Sequence, residues 1–360
     1  MIRTGSDFSG VGAFEQALKR NGMDYQTVFA CDMDKYARES FIANYGEPEY
    51  YPWNVYDREI PKEPLDVYMN FPTCKSFSVA GKRKGKDSDN GVLFFNSHEF
   101  IKVNKPRYFI FENVKGLLSD DGGKTFSEWC NMLGGKSING MPGFFPYPDS
   151  VPYHIYHTVL NSKKHGVPQN RERVFIVGIR DDEDNDFTWP KEEHLKLKLK
   201  DVLEDDVDEK YFLSERMLRG FLKEKATFKG KLEPLTGNED AAKCVTTSAG
   251  SRATDNYIKI GHINQDTQAS QVYSSEGVSP TLSAGTHGYA QGYVKTGGKV
   301  SYTENDDIRR LTPRECFRLQ DFPDTFKFVV SDTQLYKQAG NSITVGVLAK
   351  ILEKLNLQTK

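Results

Sequence analysis

The sequence predicts a doubly wound, Rossmann-like α/β fold with a smaller inserted domain. Residues 1–180 alternate short apolar runs with helical patterns, which is typical of a parallel sheet covered by helices. Residues 185–314 open with charged runs and then become rich in Gly, Ser, Thr and Tyr. After residue 312 the first pattern returns. We therefore expect a main domain at 1–184 plus 315–360 and an inserted domain at 185–314.

Individual elements follow from local patterns. Apolar runs rich in β-branched and aromatic residues predict strands over Thr27–Ala30, Val67–Asn70, Tyr108–Glu112 and Val174–Ile179. Helical spacing of apolar residues predicts helices over Ala13–Asn21, Lys35–Tyr45 and Ser342–Leu355. Another helix should begin at Pro313, because Thr312 can act as its N-cap and proline suits the first helical position.

Composition excludes several classes of protein. The 360 residues, 38% hydrophobic and 27% charged, can bury a substantial core. No apolar run approaches the roughly 18 residues of a membrane span, and the first residues lack the regions of a secretion signal. The five cysteines form no C-x-x-C pair, which argues against a disulfide framework and a zinc site. We expect a cytoplasmic protein with no metal and no membrane contact.

Charge gives a mixed indication of nucleic-acid binding. The net charge is −2, but phosphate contacts depend on local cationic surface rather than on the sum. One basic run, KRKGK, spans residues 82–86. Taken alone, such a run is more often a solvated loop than a binding segment.

A glycine-rich turn and an acidic residue predict a nucleotide-like pocket. The turn Phe8-Ser-Gly10-Val-Gly12 lies between a strand and a helix, where glycine lets the backbone approach a ligand. Asp32 ends the next strand and can accept hydrogen bonds from two ribose hydroxyls. The turn alone could be a plain strand–helix connection, but the acidic residue favours a nucleotide.

Other reactive side chains follow predicted strands. Cys74 lies in the loop after Asn70, where the neighbouring cations would favour a thiolate. Glu112 closes an apolar strand, which is costly for a carboxylate unless it is paired or functional. Arg171 and Arg173 alternate onto one face beside another strand. The ordinary structural alternatives are a buried thiol, an ion-paired acid and two surface arginines.

Seven sequence blocks occur in an order that resembles the DNA cytosine-5 methyltransferase family, bacterial and phage type. The resemblance covers nearly the whole chain. The blocks are Asp7–Phe14 (DFSGVGAF), Cys31–Ala37 (CDMDKYA), Pro72–Ser78 (PTCKSFS), Phe111–Val114 (FENV), Gln169–Arg173 (QNRER), Arg310–Cys316 (RLTPREC) and Gln338–Ser342 (QAGNS).

The resemblance implies transfer of a methyl group from S-adenosylmethionine to carbon 5 of a cytosine flipped out of double-stranded DNA. A thiolate adds to carbon 6, an acid contacts ring nitrogen 3, and cations stabilise charge on the ring. The implied catalytic residues are Cys74, Glu112, Arg171 and Arg173, and Asn113 is expected to fix the local loop.

The same resemblance implies binding residues for the cofactor and the DNA. Asp32 would hold the ribose, Met33 would pack on the adenine, and Gly340–Ser342 would begin the last helix near the methionine end. The implied cofactor-binding residues are Phe8, Gly10, Gly12, Asp32, Met33, Asn54, Val55, Pro72, Leu93, Asn341 and Ser342. The implied DNA-binding residues are Ser76, Lys82, Arg83, Lys84, Lys86 and Gln169.

We expect the inserted domain to be a target-recognition domain that reads bases from the major groove. The expected context is a bacterial or phage-infected cell, with restriction-modification or phage self-protection as the role. The protein is expected to be a monomer, with a restriction endonuclease as its functional partner in the first case.

The chain departs from the family pattern at four positions. Thr73 stands where the family has proline before the cysteine, Lys75 replaces a glutamine, Ser6 replaces an acidic residue, and Asn54 replaces an aspartate. Lys75 would add a cation beside the thiol, and the Asn54 amide oxygen can still accept a hydrogen bond from the adenine amine.

Three rival functions stay open. A transfer-RNA cytosine methyltransferase shares the chemistry, although the sizeable insert favours DNA. A catalytically silent DNA-binding regulator is kept open by Thr73. A dinucleotide-dependent dehydrogenase would use the glycine turn and Asp32, but it would leave Cys74 and the paired arginines unexplained.

Overall fold

The main domain is built on one eight-stranded sheet. The computed structural model describes residues 1–72, 89–143, 147–212, 259–262, 271–274, 278–279, 293–295 and 308–357. The strands of this sheet are β1 (Ile2–Asp7), β2 (Tyr25–Cys31), β3 (Val67–Asn70), β4 (Tyr108–Val114), β5 (Ser137–Ile138), β6 (Met141–Pro142), β7 (Tyr153–Asn161) and β8 (Glu172–Arg180).

The strand order is β2-β1-β3-β4-β8-β7-β5-β6. Strands β1 to β4 are all parallel, whereas β8 pairs antiparallel with both β4 and β7. The parallel half therefore brings the carboxyl ends of four strands to one edge, where doubly wound folds bind ligands. This arrangement confirms the predicted fold class.

Helices cover both faces of this sheet. They are α1 (Ala13–Arg20), α2 (Lys35–Tyr45), α3 (Asp89–Asn104), α4 (Lys124–Leu133), α5 (Pro313–Arg318), α6 (Asp332–Asn341) and α7 (Val345–Leu352). Successive residues of β3 point to opposite faces, so Val67 and Met69 pack with α1 and α7, whereas Tyr68 packs with α3 and α4. No described helix has both the length and the apolar character that a membrane crossing needs.

Most predicted elements are confirmed, two of them at both ends. Strand β3 and helix α2 have the predicted bounds, and Asp34 caps α2 through the backbone amides of Tyr36 and Ala37. The N-cap at Thr312 is also confirmed, since its hydroxyl accepts from the Glu315 amide at 3.2 Å. The Glu315 carboxylate accepts in return from the Thr312 amide at 2.8 Å, which completes a capping box.

The predicted helix over Ser342–Leu355 is confirmed over Val345–Leu352, and it is three residues shorter at each end than predicted. Helix α6 ends at Asn341, the backbone at Ser342 is extended, and α7 begins at Val345. A distant residue causes the break, because the backbone oxygen of Gln320 accepts from the Val345 amide at 2.9 Å. The Gln320 side chain also accepts from the Thr344 hydroxyl at 3.1 Å. These buried contacts replace the helical hydrogen bonds that the local sequence favours.

Packing affects the predicted domain boundary. Phe187, Leu199, Val202 and Tyr211 join the same apolar cluster as α1 and α7. Arg318 on α5 also donates to the Val202 carbonyl at 3.1 Å. We therefore propose that the inserted domain begins after residue 212 rather than at 185. Within it, a second sheet has the order β12-β11-β10-β9, with β9 at Lys259–His262, β10 at Gln271–Ser274, β11 at Tyr293–Lys295 and β12 at Ile308–Arg310.

Candidate active site

Three neighbouring strands end in register at the carboxyl edge of the sheet. Asp7 of β1 pairs with Cys31 of β2 and with Asn70 of β3, and Asn70 pairs with Phe111 of β4. The residues that follow these positions include the glycine turn, Asp32, Pro72 and Glu112. The register thus brings the glycine turn, Asp32, Pro72 and Glu112 to one edge of the sheet.

The glycine turn is locked against Asp32. The Gly10 amide donates to one oxygen of the Asp32 carboxylate at 2.8 Å, and the Asp34 amide donates to the other at 2.8 Å. Burial raises the pKa of Asp32, and these two hydrogen bonds oppose the shift. Since each carboxylate oxygen has a second lone pair, Asp32 can still accept hydrogen bonds from a ribose.

Backbone conformation explains the glycine at position 12. Gly12 has a φ of 83°, and a Cβ there would lie 2.2 Å from the ring of Tyr45. Phe8 is the only non-glycine residue of the turn that the structure describes with a left-handed φ, at 58°. A substitution at Gly12 would therefore displace Tyr45, whereas the strain at Phe8 is the kind that functional sites retain.

Arg38, which the sequence interpretation missed, organises the wall beside Asp32. Its guanidinium stacks on the rings of Tyr51 and Trp53, with its Cζ at 3.6 Å and 4.1 Å from their centroids. It also donates to the Tyr51 carbonyl at 2.8 Å and to the Pro52 carbonyl at 3.0 Å. These contacts hold the segment before Asn54 against the start of α2.

Apolar surface is exposed around this wall. Met33 is 73% exposed and Trp53 is 54% exposed. Val55 is buried, whereas Phe8, Asn54 and Leu93 are half-buried. The Asn54 amide oxygen already accepts from the Tyr56 amide at 3.1 Å, so only its second lone pair is open to an adenine amine. A locked glycine turn, a ribose-accepting carboxylate and exposed apolar side chains suit the adenosine part of S-adenosylmethionine.

Glu112 and Arg173 form a buried ion pair. The Nε atom of Arg173 lies 3.0 Å from Oε1 of Glu112, and Glu112 is 8% exposed. Burial raises the pKa of Glu112, and the guanidinium groups of Arg173 and Arg171 oppose that shift. An acid with a raised pKa beside a cation is suited to protonating or hydrogen-bonding a heterocyclic ring.

Asn113 links this pair to the start of the segment that carries Cys74. Its side-chain amide donates to the Pro72 carbonyl at 3.4 Å, and its oxygen accepts from the Val114 amide at 2.8 Å. Pro72 is the last described residue before that segment. Cys74 lies outside the described residues, as do Ser76, Lys82, Arg83, Lys84 and Lys86.

Arg171 makes different contacts from Arg173. It is buried, and its Nη2 atom donates to the Gly340 carbonyl at 3.1 Å and to the Ser342 carbonyl at 2.6 Å. These carbonyls belong to the end of α6, so the prediction that Gly340–Ser342 begins a helix is wrong. The C-terminal end of a helix carries a negative partial charge, so these residues do not offer the anion site that a helix N-terminus would.

The end of α6 nevertheless lies beside the cofactor edge. Gln338 donates to the Tyr36 carbonyl at 2.9 Å and accepts from the Ser40 hydroxyl at 3.1 Å. Lys337 pairs with Asp34. These contacts dock α6 on α2 close to Asp32, with Asn341 exposed and Ser342 buried. Gln338 lies within one of the seven blocks, but its role as a docking residue was not predicted.

The expected DNA contact of the Gln169 side chain is contradicted. Gln169 is fully buried, and its amide donates to the Leu319 carbonyl at 2.5 Å. Its side chain thus holds the QNRER segment against α5. The adjacent backbone contacts the inserted domain, since the Asn170 amide donates to the Ser279 carbonyl at 2.6 Å.

Among the described residues, no group of three or more His, Cys, Asp or Glu side chains is arranged to hold a metal ion.

Comparisons with known proteins show the family. The profile of the C-5 cytosine-specific DNA methylase family matches residues 2–357. The orphan methyltransferase M.SPRI of Bacillus phage SPR is 32% identical, with 98% of this chain and 97% of that protein covered. The type II methyltransferase M.HhaI of Haemophilus parahaemolyticus is 31% identical, with 96% of this chain and 91% of that protein covered.

Solved structures show the same fold. The Dnmt2 methyltransferase of S. pombe superposes with a TM-score of 0.64 at 15% identity, covering 98% of this chain and 97% of that one. The methyltransferase EhMeth of Entamoeba histolytica gives 0.67 at 15% identity, covering 98% and 97%. Because the family profile spans nearly the whole chain, this protein belongs to the C-5 cytosine-specific DNA methylases and is a DNA cytosine-5 methyltransferase.

Proposed function

We propose that this methyltransferase modifies a cytosine flipped out of double-stranded DNA through a transient covalent bond to Cys74. The observation that carries the proposal is the buried Glu112–Arg173 pair beside Pro72. Only Thr73 separates Pro72 from Cys74 in the chain, so a pyrimidine beside this pair would be within reach of both the acid and the nucleophile. Base flipping is needed because carbon 6 is not accessible within the stacked duplex.

The proposed reaction uses the cytosine, the Cys74 thiolate, the methyl donor and a base. A bond forms between Sγ of Cys74 and carbon 6, and the ring electrons move to carbon 5. Carbon 5 attacks the donated methyl carbon, and the donor leaves as a neutral thioether. A base then removes the proton from carbon 5, and the bond between sulfur and carbon 6 breaks to restore the thiolate.

Glu112 and Arg173 would bind opposite sides of the reacting ring's polar edge. Glu112 would contact ring nitrogen 3 and the exocyclic amine, and its raised pKa favours a proton there during addition. Arg173 would face the exocyclic oxygen, where negative charge develops. Arg171 would act indirectly, because its described hydrogen bonds hold the backbone around Asn341.

S-adenosylmethionine would supply the electrophilic methyl group. Asp32 would bind its ribose, and Met33 with Val55 would pack on its adenine. The Gly10–Gly12 turn would let the protein backbone approach the cofactor closely. Phe8, Asn54, Pro72, Leu93, Asn341 and Ser342 complete the proposed set. The turn and Asp32 support this assignment because the hydrogen bond from the Gly10 amide holds them together at 2.8 Å.

The DNA would contact the basic segment from residue 82 to 86 and the inserted domain. The biological role of the enzyme would be self-protection of phage DNA or modification within a restriction-modification pair. The relatives support this context, since they carry the names of orphan phage and type II methyltransferases. We further propose that the enzyme acts as a monomer in the cytoplasm.

Bisulfite sequencing of DNA from cells that express the protein tests this proposal. We expect 5-methylcytosine at one recurrent sequence with the wild-type protein, and none with Cys74→Ser. Cys130→Ser, at a buried cysteine on α4, is the matched control and should retain methylation. Wild-type methylation by Cys74→Ser would contradict the covalent mechanism. Purified protein with labelled donor should also label duplex DNA rather than transfer RNA.

A further inference from the structure

A buried polar network lies behind the cofactor turn and is not used by the chemistry above. Its centre is the Asp7 carboxylate, which is fully buried at the end of β1. Arg58 donates to one carboxylate oxygen at 2.9 Å, and the Tyr68 hydroxyl donates to the other at 2.6 Å. Asp7 directly precedes Phe8, so the network begins at the cofactor turn.

The network continues to the end of β3 and onto α3. The Asn70 amide nitrogen donates to the Tyr68 hydroxyl at 2.8 Å and to the Ser97 hydroxyl at 2.5 Å. Ser97 in turn donates to the Leu93 carbonyl at 3.0 Å. Arg58 reaches the same helix, because its Nη2 donates to the Asn96 side-chain oxygen at 2.8 Å.

Each hydrogen bond fixes the direction of the next. Asp7 accepts from the Tyr68 hydroxyl, so that hydroxyl must accept from Asn70. Asn70 therefore presents its nitrogen, with two hydrogens, to Tyr68 and Ser97. Such a directional chain in a buried setting tolerates little displacement, because a broken link leaves an unsatisfied buried polar group.

The network spans the two ends of the segment that carries Cys74. Asn70 lies two residues before Pro72, and Leu93, Asn96 and Ser97 lie on the helix that follows the segment. The cofactor turn has its own locks, from Gly10 and Ser9 to β2 and Asp32. At Pro72, by contrast, the described side-chain contact is the 3.4 Å hydrogen bond from Asn113.

We propose that Asp7, Arg58, Tyr68 and Asn70 are positioning residues that hold the end of β3 and the start of α3, which flank the Cys74 segment in the chain, at a fixed distance from the cofactor turn. This inference rests on the proposed function. The sulfur and the methyl carbon must approach one flipped ring, and misplacement by about 1 Å can cost on the order of 100-fold in rate. The network acts on chemistry more than on cofactor affinity, since the turn is held independently.

Tyr68→Phe tests the proposal, and Tyr153→Phe is its matched control. Both variants remove a buried hydroxyl that donates at 2.6 Å, to Asp7 in the first case and to the Pro106 carbonyl in the second. Single-turnover methyl transfer and trapping on 5-fluorocytosine duplex are measured per active site, at a temperature where all proteins are folded. Donor dissociation constants are measured in parallel.

We expect Tyr68→Phe to slow both methyl transfer and trapping by about 10-fold or more, with a change of less than about threefold in the donor dissociation constant. Tyr153→Phe should react at the wild-type rate. Ser97→Ala, which disturbs only the α3 end, should show the same pattern more weakly. Wild-type rates in Tyr68→Phe, or equal slowing in Tyr153→Phe, would overturn the inference. Absence of transfer and trapping in the wild type would instead overturn the proposed function.

Discussion

Two buried acid–arginine pairs lie at the carboxyl edge of the same sheet, and their surroundings differ. The side chains of Glu112 and Arg173 are 10% and 15% exposed, whereas those of Asp7 and Arg58 are 0% and 1% exposed. Asp7 also accepts from Tyr68, so both its oxygens are engaged within the protein. The first pair is therefore open to a ligand, and the second is closed by the protein itself.

The difference shows why a buried ion pair is ambiguous from sequence. Both acids lie near the carboxyl ends of neighbouring parts of one sheet, on β1 and β4, and both could be structural or functional. What separates them is access from the ligand edge and the number of internal hydrogen bonds. The following predictions test that separation, beginning with the largest expected effect.

Glu112→Gln should lower the single-turnover methyl-transfer rate by about 100- to 10,000-fold, because glutamine cannot supply a proton. Its isosteric amide should leave thermal unfolding and donor binding nearly unchanged. Rapid-quench kinetics with labelled donor measure the rate, and calorimetry measures the unfolding temperature. A normal rate in this variant would show that Glu112 takes no part in the chemistry. The functional difference between Glu112 and Asp7 would then be contradicted.

Arg58→Met should reduce the free energy of unfolding by about 3–5 kcal/mol, because it leaves the Asp7 carboxyl buried without its cation. Methionine keeps an apolar stem of similar length but removes the guanidinium, whose Cζ lies 4.5 Å from the centroid of the Phe100 ring. Urea denaturation at pH 7 gives the free energy. A loss below about 1 kcal/mol would mean that the closed pair contributes no more than a surface pair.

A third carboxylate, Glu15 on α1, sharpens the comparison because neither of its oxygens has a hydrogen-bond partner among the described residues. Burial raises its pKa to about 7. The folded state therefore binds the proton on Glu15 more tightly than the unfolded state does. The stabilisation that this proton gives the fold is fully present below pH 4.5 and is lost as the pH rises to 7. The loss should reach about 3 kcal/mol above pH 7.

Glu15→Gln should remove that pH dependence and unfold at higher urea concentration than the wild type at pH 8. Denaturation series from pH 5 to pH 8 on both proteins measure the difference. Parallel curves for the two proteins would show that Glu15 does not titrate in this range.

Lys102→Met should have the smallest effect, below about 1 kcal/mol, and it is the matched control for Arg58→Met. Lys102 pairs with Asp149 at 3.2 Å, but the two side chains are 49% and 73% exposed. Water screens such a pair. If urea denaturation gave a loss as large as that of Arg58→Met, burial would not be what distinguishes the two pairs.

The sequence predicted those parts of the fold that local pattern controls. Strand β3 is apolar along its length, and α2 begins at an Asp N-cap, so both have their predicted bounds. The start of α7 at Val345 rather than at Ser342 was missed because it depends on Gln320, which is distant in the sequence. The burial of Gln169 was missed for a similar reason, since its partner is the carbonyl of Leu319.

The candidate site likewise contains residues that the local sequence predicted and residues that it did not. The glycine turn, Asp32 and Glu112 were predicted because each ends or follows a strand at the ligand edge. Arg38 and Arg58 carry no local signal, since stacking and buried pairing are visible only after distant segments have packed. A buried aspartate at the end of β1 could have indicated Arg58, because such an acid requires a partner.

Mass spectrometry of the protein incubated with donor and 5-fluorocytosine duplexes of varied sequence tests the central claim most directly. The account predicts a covalent complex in which the fluorinated base is attached to the peptide that contains Cys74. The complex should be absent in Cys74→Ser and should form slowly in Glu112→Gln. Attachment to another cysteine, or methylated product without any trapped complex, would contradict the account.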